Sequence, residues 1–309
     1  MAIERLAVDA SVNAVFPATK LVEELADAPV AVGTTTGESD EFASYDAVVT
    51  LAHREAYLDL DWVHSIQAGV DRFPAERFRA AGVMLTNSAG IHGDAVGETV
   101  AAYVLAVARR LHVYVGNQTR SDWSAPAWDE AWTVAGEHAC VIGLGSLGRG
   151  IVDRLRGLGL EVDAVRRNPI PEPGVSRVYQ PADLHEAVAA ARFVILAVPL
   201  TDETEGLIDA GALEAMREDA YLINVARGRV VDQDALTEAV KTGEIAGAAL
   251  DVFEEEPLPT DSPLWQMEEV IVSPHAASLT SEYYRHVAAI VRESLQRLAA
   301  GDEPVNRVL

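Results

Sequence analysis

The sequence predicts an α/β protein of two domains, each built on a doubly wound parallel sheet. Its 309 residues correspond to about two domains of ordinary size, and 49% of them are apolar, which is enough for two hydrophobic cores. Short segments rich in β-branched residues alternate with segments of helical spacing, as expected when helices connect parallel strands. A glycine motif of the strand-to-helix type begins at Gly143 and indicates a doubly wound sheet in the second half.

The N-terminal part contains a first alternating series. Its predicted strands are 5–9, 46–52, 62–67 and 83–86, and 18–26 has the spacing of a helix. These elements predict a small parallel sheet, and a long apolar helix is expected to follow over 94–115.

Residues 117–136 interrupt the alternation and contain three of the five tryptophans, Trp123, Trp128 and Trp132. Large aromatic side chains in a loop either fill a local core or anchor a partner subunit. Because such a cluster is hard to bury within one connection, we favour a homodimer.

A second alternating series follows. Its predicted strands are 139–144, 160–165, 193–198, 220–226, 248–253 and 270–273, and its helices are 147–158, 182–191, 209–217 and 232–242. This pattern predicts a doubly wound nucleotide-binding sheet. The amphipathic stretch 281–300 lies beyond the series and is expected to return to the first domain. The predicted domains are therefore 1–94 plus 280–309, and 95–279, with a cleft between them.

Charge excludes two classes of partner. The chain carries 24 basic and 48 acidic residues, a net charge of −24 that repels nucleic acid and anionic membranes. All the basic residues except Lys20 and Lys241 are arginines. Salt at about 1 M would screen such a surface, so we hypothesise a halophilic protein from a high-salt cytoplasm, the alternative being an ordinary acidic protein.

Other sequence signals point to a cytoplasmic protein without a metal centre. The N-terminal residues lack the basic-then-apolar pattern of a secretory signal, and no apolar run is long enough for a membrane span. Cys140, the only cysteine, excludes an intrachain disulfide and is expected in the core. No group of His, Cys and carboxylate residues has metal-ligand spacing.

The glycine motif, residues 143–148 in the pattern G-x-G-x-x-G, predicts a dinucleotide site. Gly143 permits the tight turn, Gly145 lets the backbone approach a pyrophosphate, and Gly148 lets the helix pack closely on the strand. The diphosphate would lie at the helix N-terminus, next to Ser146 and Leu147.

The end of the following strand predicts which dinucleotide binds. An acidic residue there would bond the ribose 2′-hydroxyl of NAD(H), but the sequence has Arg166 and Arg167 instead. Two guanidinium groups suit a 2′-phosphate, so we expect NADP(H) to be preferred, with NAD(H) possible.

Three later segments place ionisable side chains beyond the ends of predicted strands, where ligands bind in open α/β sheets. They carry Arg227, the glutamate run 254–256 and His275. Histidine can give a proton to a carbonyl oxygen that gains negative charge, a carboxylate can orient its ring, and a guanidinium can hold a carboxylate and polarise a carbonyl.

The chain resembles the D-isomer-specific 2-hydroxyacid dehydrogenases, the family of D-lactate, glycerate and hydroxypyruvate/glyoxylate reductases. The resemblance rests on the glycine motif and on segments 198–201, 224–228 with 231–232, 250–257 and 274–276. It implies a flavodoxin-like substrate domain and a Rossmann coenzyme domain. The implied activity is that of an NADP(H)-dependent D-2-hydroxyacid dehydrogenase, working mainly as a reductase of small 2-keto acids.

The resemblance also implies residue roles. The family pattern Asp-Val-Phe-Glu-x-Glu-Pro selects Glu256 within its run, so Arg227, Glu256 and His275 would be catalytic. Substrate would contact Arg227 and the loop residues Ala68, Gly69 and Val70. The cofactor would contact Thr99, Gly143, Gly145, Ser146, Leu147, Gly148, Arg166, Arg167, Val198, Pro199, Thr204, Ala226 and Asp251, the last through the nicotinamide carboxamide.

Several assignments stay open. Asn87 and Glu98 either belong to the cleft or are a turn residue and a cap. His53, His64 and His92 are interpreted as surface or packing residues, although His53 or Leu51 could line the substrate pocket.

A rival of another class is a nucleotide-sensing corepressor on a similar scaffold. Nothing in the chain resembles a peptide-docking extension. An enzyme would oxidise NADPH in the presence of a 2-keto acid, whereas a sensor would only bind it.

Overall fold

The computed structural model describes residues 3–309, which divide into two compact units. The first unit comprises the chain up to His92 together with Leu279–Leu309, and the second comprises Gly93–Ser278. Each unit contains one parallel sheet, of five strands in the first and seven in the second. The predicted fold class, two α/β domains with parallel sheets, is confirmed. Among the described residues, no helix has the length and apolar character needed to cross a membrane.

The elements before His92 form the sheet of the first unit. They are β1 (Arg5–Asp9), α1 (Ala18–Glu24), β2 (Ala31–Thr35), β3 (Ala47–Thr50), β4 (Trp62–Ser65), α2 (Ala75–Ala81) and β5 (Met84–Thr86). The strand order is β2-β1-β3-β4-β5, a flavodoxin-like arrangement. The sequence does not predict β2, because this edge strand contains Gly33 and is only partly buried, so it lacks a continuous apolar run.

The second unit begins with two helices and continues with the larger sheet. Its elements are α3 (Gly93–Ala108), α4 (Leu111–Thr119), β6 (His138–Ile142), α5 (Ser146–Gly157), β7 (Glu161–Val165), β8 (Val178–Tyr179), α6 (Leu184–Ala189), β9 (Phe193–Leu196), α7 (Ala210–Glu214), β10 (Tyr221–Asn224), α8 (Gln233–Thr242), β11 (Gly247–Leu250) and β12 (Val270–Val272). The last helix, α9 (Tyr283–Ala300), belongs to the first unit.

The prediction of one long helix over 94–115 is wrong in one respect, because the structure has two helices there, α3 and α4. Arg110 has a φ of 56°, in the left-handed region, and this residue separates α3 from α4. The break lacks the glycine or proline that usually marks one, so the sequence gives no sign of it.

The order in which the chain adds strands to the larger sheet reverses between β6 and β9, although all its strands are parallel. From β6 the chain adds β7 and β8 on one side, then returns to place β9, β10, β11 and β12 on the other. In open α/β sheets, ligands bind at the carboxyl ends of the strands beside such a reversal. The fold therefore places a binding site at the loops that follow β6 and β9.

The first unit is completed by α9, which is remote in sequence from its sheet. Tyr283, Val287 and Val291 of α9 are buried in one cluster with Leu6 and Val8 of β1. Burial of these side chains fixes α9 against the same sheet that the first residues of the chain form.

The tryptophans of the 117–136 segment differ in their surroundings. Trp132 packs locally: its ring lies under the Arg192 guanidinium at 3.7 Å and stacks on Tyr221 at 6.0 Å. Trp123 and Trp128 are fully exposed, so the local-core interpretation is wrong for these two. The core position expected for Cys140 is confirmed, and burial raises the pKa of its thiol to about 12.

Candidate active site

The glycine motif connects β6 to α5. Gly143 has a φ of 104°, and a Cβ at this position would lie 2.5 Å from the carbonyl oxygen of Ala197. A Cβ at Gly148 would lie 1.9 Å from the carbonyl oxygen of Gly143, so glycine is required for α5 to pack this closely. At Gly145 no described atom lies within 4 Å of a Cβ. This open space at the N-terminus of α5 is where a diphosphate can approach the backbone.

A cavity of about 460 Å³ opens beside the glycine motif. Among the residues expected to bind a dinucleotide, its walls include Gly143, Gly145, Arg166, Arg167, Val198, Pro199 and Thr204. Ser146 and Leu147 form the first turn of α5 next to it. Backbone, guanidinium and apolar groups together suit a dinucleotide. Thr99, Ala226 and Asp251 are not among these walls, and their cofactor contacts stay predictions.

The arginine pair follows the carboxyl end of β7. Arg166 Nη1 donates a hydrogen bond to Glu172 Oε2 at 2.9 Å, and Arg149 Nε donates to Glu172 Oε1 at 2.8 Å. The hydrogen bond from Arg149, with a smaller contribution from Arg166, lowers the pKa of the Glu172 carboxyl. Glu172 is not predicted from the sequence as a site residue. The available signal is the stiff loop around it, with proline at positions 169, 171 and 173.

The candidate catalytic residues lie at the same edge of the larger sheet as the glycine motif. Because its strands are parallel, their carboxyl ends share one edge, and neighbouring strands are about 4.8 Å apart. In strand order this edge carries His275 after β12, Asp251 and Glu256 after β11, Arg227 after β10, Val198 after β9, Gly143 after β6 and Arg166 after β7. The three candidates thus follow three adjacent strands.

His275 and Glu256 form a direct pair. The Nδ1 atom of His275 lies 2.8 Å from Glu256 Oε2, and the backbone N–H of Phe253 donates to Glu256 Oε1 at 3.2 Å. Both side chains are about 30% exposed, so the pair is accessible to a small molecule. With Nδ1–H donating to the carboxylate, Nε2 is the ring nitrogen that can act on a substrate.

The backbone that carries Arg227 packs against the segment that precedes Glu256. Its carbonyl oxygen accepts a hydrogen bond from Asn224 Nδ2 at 3.0 Å, and its Nη1 donates to the carbonyl oxygen of Ala226 at 2.8 Å. A Cβ on Gly228 would lie 1.8 Å from the backbone carbon of Phe253. The Arg227 segment therefore lies directly against the segment that leads to Glu256, and its side chain is half-buried.

The loop that carries His275 is held by Asp251. This carboxylate is buried, and it accepts hydrogen bonds from the Ser273 hydroxyl at 2.5 Å and from the backbone N–H groups of Ala276 and Ala277, each at 2.8 Å. The Asp251 carbonyl oxygen also accepts from the backbone N–H of His275 at 2.8 Å. These contacts hold His275 at a φ of 53°, a conformation that costs about 1 kcal/mol for a residue with a side chain. The sequence contains no signal for this arrangement.

Tyr103 extends the network behind the histidine loop. Its hydroxyl lies 2.5 Å from the Ser273 hydroxyl, which donates to Asp251. Thr99, one helical turn earlier on α3, donates to the carbonyl oxygen of Ala277 at 3.0 Å. Helix α3 therefore contacts the histidine loop through Thr99 and Tyr103.

In the first unit, the loop Ala68, Gly69 and Val70 follows the carboxyl end of β4. Asn87 Nδ2 donates to the carbonyl oxygen of Ala68 at 2.7 Å, so Asn87 stabilises this loop. His64 is buried between the hydroxyls of Thr86 and Ser88, at 2.8 and 3.0 Å.

The packing interpretation holds for His53, His64 and His92, which are three of the four histidines of the first unit. Burial lowers the pKa of the His64 imidazole to about 3. His92 stacks on Tyr283 with ring centroids 5.0 Å apart, and the ring of His53 lies 5.4 Å from that of Phe78. These three imidazoles therefore contribute to the core of the unit.

Comparison with known proteins identifies the family. The model of the D-isomer specific 2-hydroxyacid dehydrogenase NAD binding domain matches residues 101–277. Glyoxylate reductase of Korarchaeum cryptofilum is 36% identical over 262 residues, which cover 82% of this chain and 77% of that protein. Glyoxylate reductase of Thermococcus kodakarensis is 33% identical over 249 residues, covering 78% and 74%.

Solved structures show the same similarity. A D-isomer specific 2-hydroxyacid dehydrogenase family protein from Aeromonas salmonicida is 28% identical, with a TM-score of 0.88 over 99% of both chains. The enzyme of this family from Xanthobacter autotrophicus, solved in complex with NADPH, is 28% identical, with a TM-score of 0.83 over 100% of this chain and 98% of that one. The chain therefore belongs to the D-isomer specific 2-hydroxyacid dehydrogenase family of NAD(P)-dependent oxidoreductases.

Proposed function

We propose that the protein is an NADP(H)-dependent D-2-hydroxyacid dehydrogenase that works mainly as a reductase of small 2-keto acids. The observation that carries this proposal is the 2.8 Å pair between His275 and Glu256, at the sheet edge that also carries the glycine motif. Glyoxylate reductases among the relatives support a substrate of two or three carbons.

Reduction of a keto group creates negative charge on its oxygen, which a proton must neutralise. When bound, reduced nicotinamide supplies the hydride. His275 donates the proton from Nε2, and Glu256 accepts the hydrogen bond from Nδ1–H, which orients the ring and stabilises its protonated form.

Arg227 holds the substrate in this proposal. Its guanidinium presents a planar fork that matches the carboxylate and carbonyl oxygens of a 2-keto acid and polarises the carbonyl. The backbone N–H groups of Ala68, Gly69 and Val70 are the proposed further contacts to the substrate carboxylate.

The preference for NADP(H) rests on the arginine pair at the end of β7. Arg166 and Arg167 line the cavity beside the glycine motif, at the position where an acidic residue would favour NAD(H). The Xanthobacter relative solved with NADPH is consistent with this choice. Replacing Arg166 with Asp should lower the NADPH/NADH ratio of kcat/KM by about tenfold or more, because a carboxylate repels the 2′-phosphate. An unchanged ratio would refute the preference.

The decisive experiment mixes the purified chain with NADPH and a panel of 2-keto acids that includes glyoxylate and hydroxypyruvate. An enzyme consumes NADPH, whereas a corepressor-like sensor binds it without turnover. His275→Asn should remove turnover and leave NADPH binding within about twofold, since the ring acts on the substrate. Absence of turnover with every acid in the panel would favour the sensor.

We further propose a homodimer that forms through the segment 121–128. Trp123 and Trp128 are exposed, and the cavity beside Trp123 is lined by Tyr114, Asn117 and Pro126. Exposed aromatic side chains of this size are typical of interface anchors. Trp123→Ser with Trp128→Ser should convert a dimer into a monomer in sedimentation velocity. Trp265→Ser, at a partly exposed tryptophan outside this segment, should not.

The net charge supports a setting of high salt. Repulsion among the charges that give a net charge of −24 opposes compaction in dilute buffer, and salt screens this repulsion. We propose that the enzyme works in a salt-rich cytoplasm.

A further inference from the structure

Glu172 lies where it can influence the choice between the two cofactors. Resting on the proposed use of NADP(H), we propose that Glu172 is a specificity-determining residue that competes with the 2′-phosphate of NADPH for Arg166. In this role it acts through Arg166 and keeps the preference for NADPH over NADH moderate, because it weakens the binding of NADPH.

The Glu172 carboxylate is already hydrogen-bonded to the Arg166 guanidinium. Glu172 Oε2 accepts from Arg166 Nη1 at 2.9 Å, and the side chains of both residues are mostly buried, at 17% and 23% exposed. Arg166 also lines the cavity beside the glycine motif, whereas Glu172 is not among the cavity walls. Any anion that binds Arg166 from the cavity therefore shares it with Glu172.

A second arginine fixes the carboxylate in this position. Arg149 lies on the second turn of α5 and reaches Glu172 with Nε at 2.8 Å and Nη2 at 3.4 Å. The two arginines keep Glu172 ionised, since they lower the pKa of its carboxyl. One negative charge thus lies between two positive ones at the cavity that would take the phosphate.

The loop that presents Glu172 is stiff and anchored. Proline at 169, 171 and 173 restricts the backbone on both sides of the glutamate. Gly174 has a φ of 84° and packs against the side chain of Arg156, and Val175 packs on the apolar core of the second unit. The restricted backbone therefore keeps Glu172 beside Arg149 and Arg166, whose hydrogen bonds hold its carboxylate.

The two cofactors respond differently to such a carboxylate. A 2′-phosphate carries nearly two negative charges and needs the guanidinium that Glu172 holds, so it is weakened both by competition and by repulsion. A 2′-hydroxyl is neutral, and its binding depends little on the charge of Arg166. Removing the charge of Glu172 should therefore change binding of NADPH and leave binding of NADH unaffected.

The test is a fluorescence titration of the protein with NADPH and with NADH in the absence of substrate, at the lowest salt at which circular dichroism shows a folded protein. Glu172→Gln keeps the length of the side chain and one hydrogen-bond acceptor but removes its charge. We expect it to lower the Kd of NADPH by about fivefold and to leave that of NADH within about twofold. Glu161→Gln removes a charge at the opposite end of β7 and serves as the matched control, with no change expected for either cofactor.

A double-variant cycle shows whether the effect passes through Arg166. Arg166→Gln should weaken NADPH selectively. Adding Glu172→Gln to it should give a smaller gain than Glu172→Gln gives alone, because competition for the guanidinium is absent and only the repulsion is relieved. Weaker or unchanged NADPH binding in Glu172→Gln, or an equal gain for NADH, overturns the role of Glu172. If Arg166→Gln leaves the NADPH/NADH ratio unchanged, the proposed NADP(H) preference itself fails.

Discussion

Replacing Asp251 with asparagine tests whether this carboxylate holds the histidine loop. Asp251 Oδ1 accepts from the Ser273 hydroxyl and the Ala276 N–H, and Oδ2 accepts from the Ala277 N–H. An asparagine that keeps its oxygen at the Oδ1 position turns its amide N–H group towards the N–H of Ala277. One hydrogen bond to a charged group is lost and a buried donor is left without an acceptor, which together cost about 3 kcal/mol.

The assay is thermal unfolding of the protein without cofactor, followed by measurement of kcat. A loss of about 3 kcal/mol lowers the Tm by about 6–12 °C for a unit of this size, and we expect kcat to fall about tenfold or more as His275 leaves its position. Ser273→Ala is the graded control: it removes one hydrogen bond and leaves both backbone contacts, for a loss of about 1 kcal/mol.

The cofactor-free measurement separates two roles of Asp251. If the residue served only to bind the nicotinamide carboxamide, the unfolding of the protein without cofactor would not change. A free energy of unfolding within about 0.5 kcal/mol of the wild type, with normal kcat, would refute the reasoning.

The remaining predictions concern the glycine motif, acid and salt. Gly145→Ala should weaken NADPH binding without lowering the Tm of the cofactor-free protein, because its Cβ meets only open space. Gly148→Ala should lower the Tm, because its Cβ would lie 1.9 Å from the carbonyl oxygen of Gly143. Gly157→Ala, which also meets open space on α5, should neither weaken NADPH binding nor lower the Tm. Burial lowers the pKa of His64 to about 3 and that of His92 to about 4, so between pH 6.5 and 5 the unfolded chain takes up protons that the folded chain does not. These two histidines should then cost about 4 kcal/mol of stability at pH 5, and in urea titrations His92→Phe should abolish about half of that loss; an undiminished loss would contradict the assignment. Activity and the Tm of cooperative unfolding should both rise between about 0.1 M and about 3 M KCl. If neither depended on KCl, the proposed salt adaptation would be contradicted.

Much of the larger sheet is predictable because its signals are local. The buried strands are short apolar runs, α5 places Ile151, Val152 and Leu155 on its buried face, and the glycine motif fixes the junction between β6 and α5. The edge strand β2 and the two-residue strand β8 escape prediction, since neither has enough buried residues to form a pattern.

The candidate site likewise has residues that the sequence predicts and contacts that it does not. Arg227, Glu256 and His275 are found from sequence because each stands in a recognisable segment after a strand. The contacts of Glu172 with Arg166 and of Asp251 with the histidine loop span 6 and up to 26 positions, and they depend on how loops approach one another in space. No periodicity or local motif encodes such approaches.

The place of α9 in the first unit has a consequence for biosynthesis. Val287, Val291 and Leu295 share a buried cluster with Leu6 and Val8, yet the ribosome makes them only after the whole second unit. The N-terminal sheet thus leaves the exit tunnel with part of its apolar face uncovered, while the second unit is continuous in sequence and can close its own core first. Nascent chains stalled before α9 should therefore bind chaperones through the N-terminal sheet, and release of α9 should end that association.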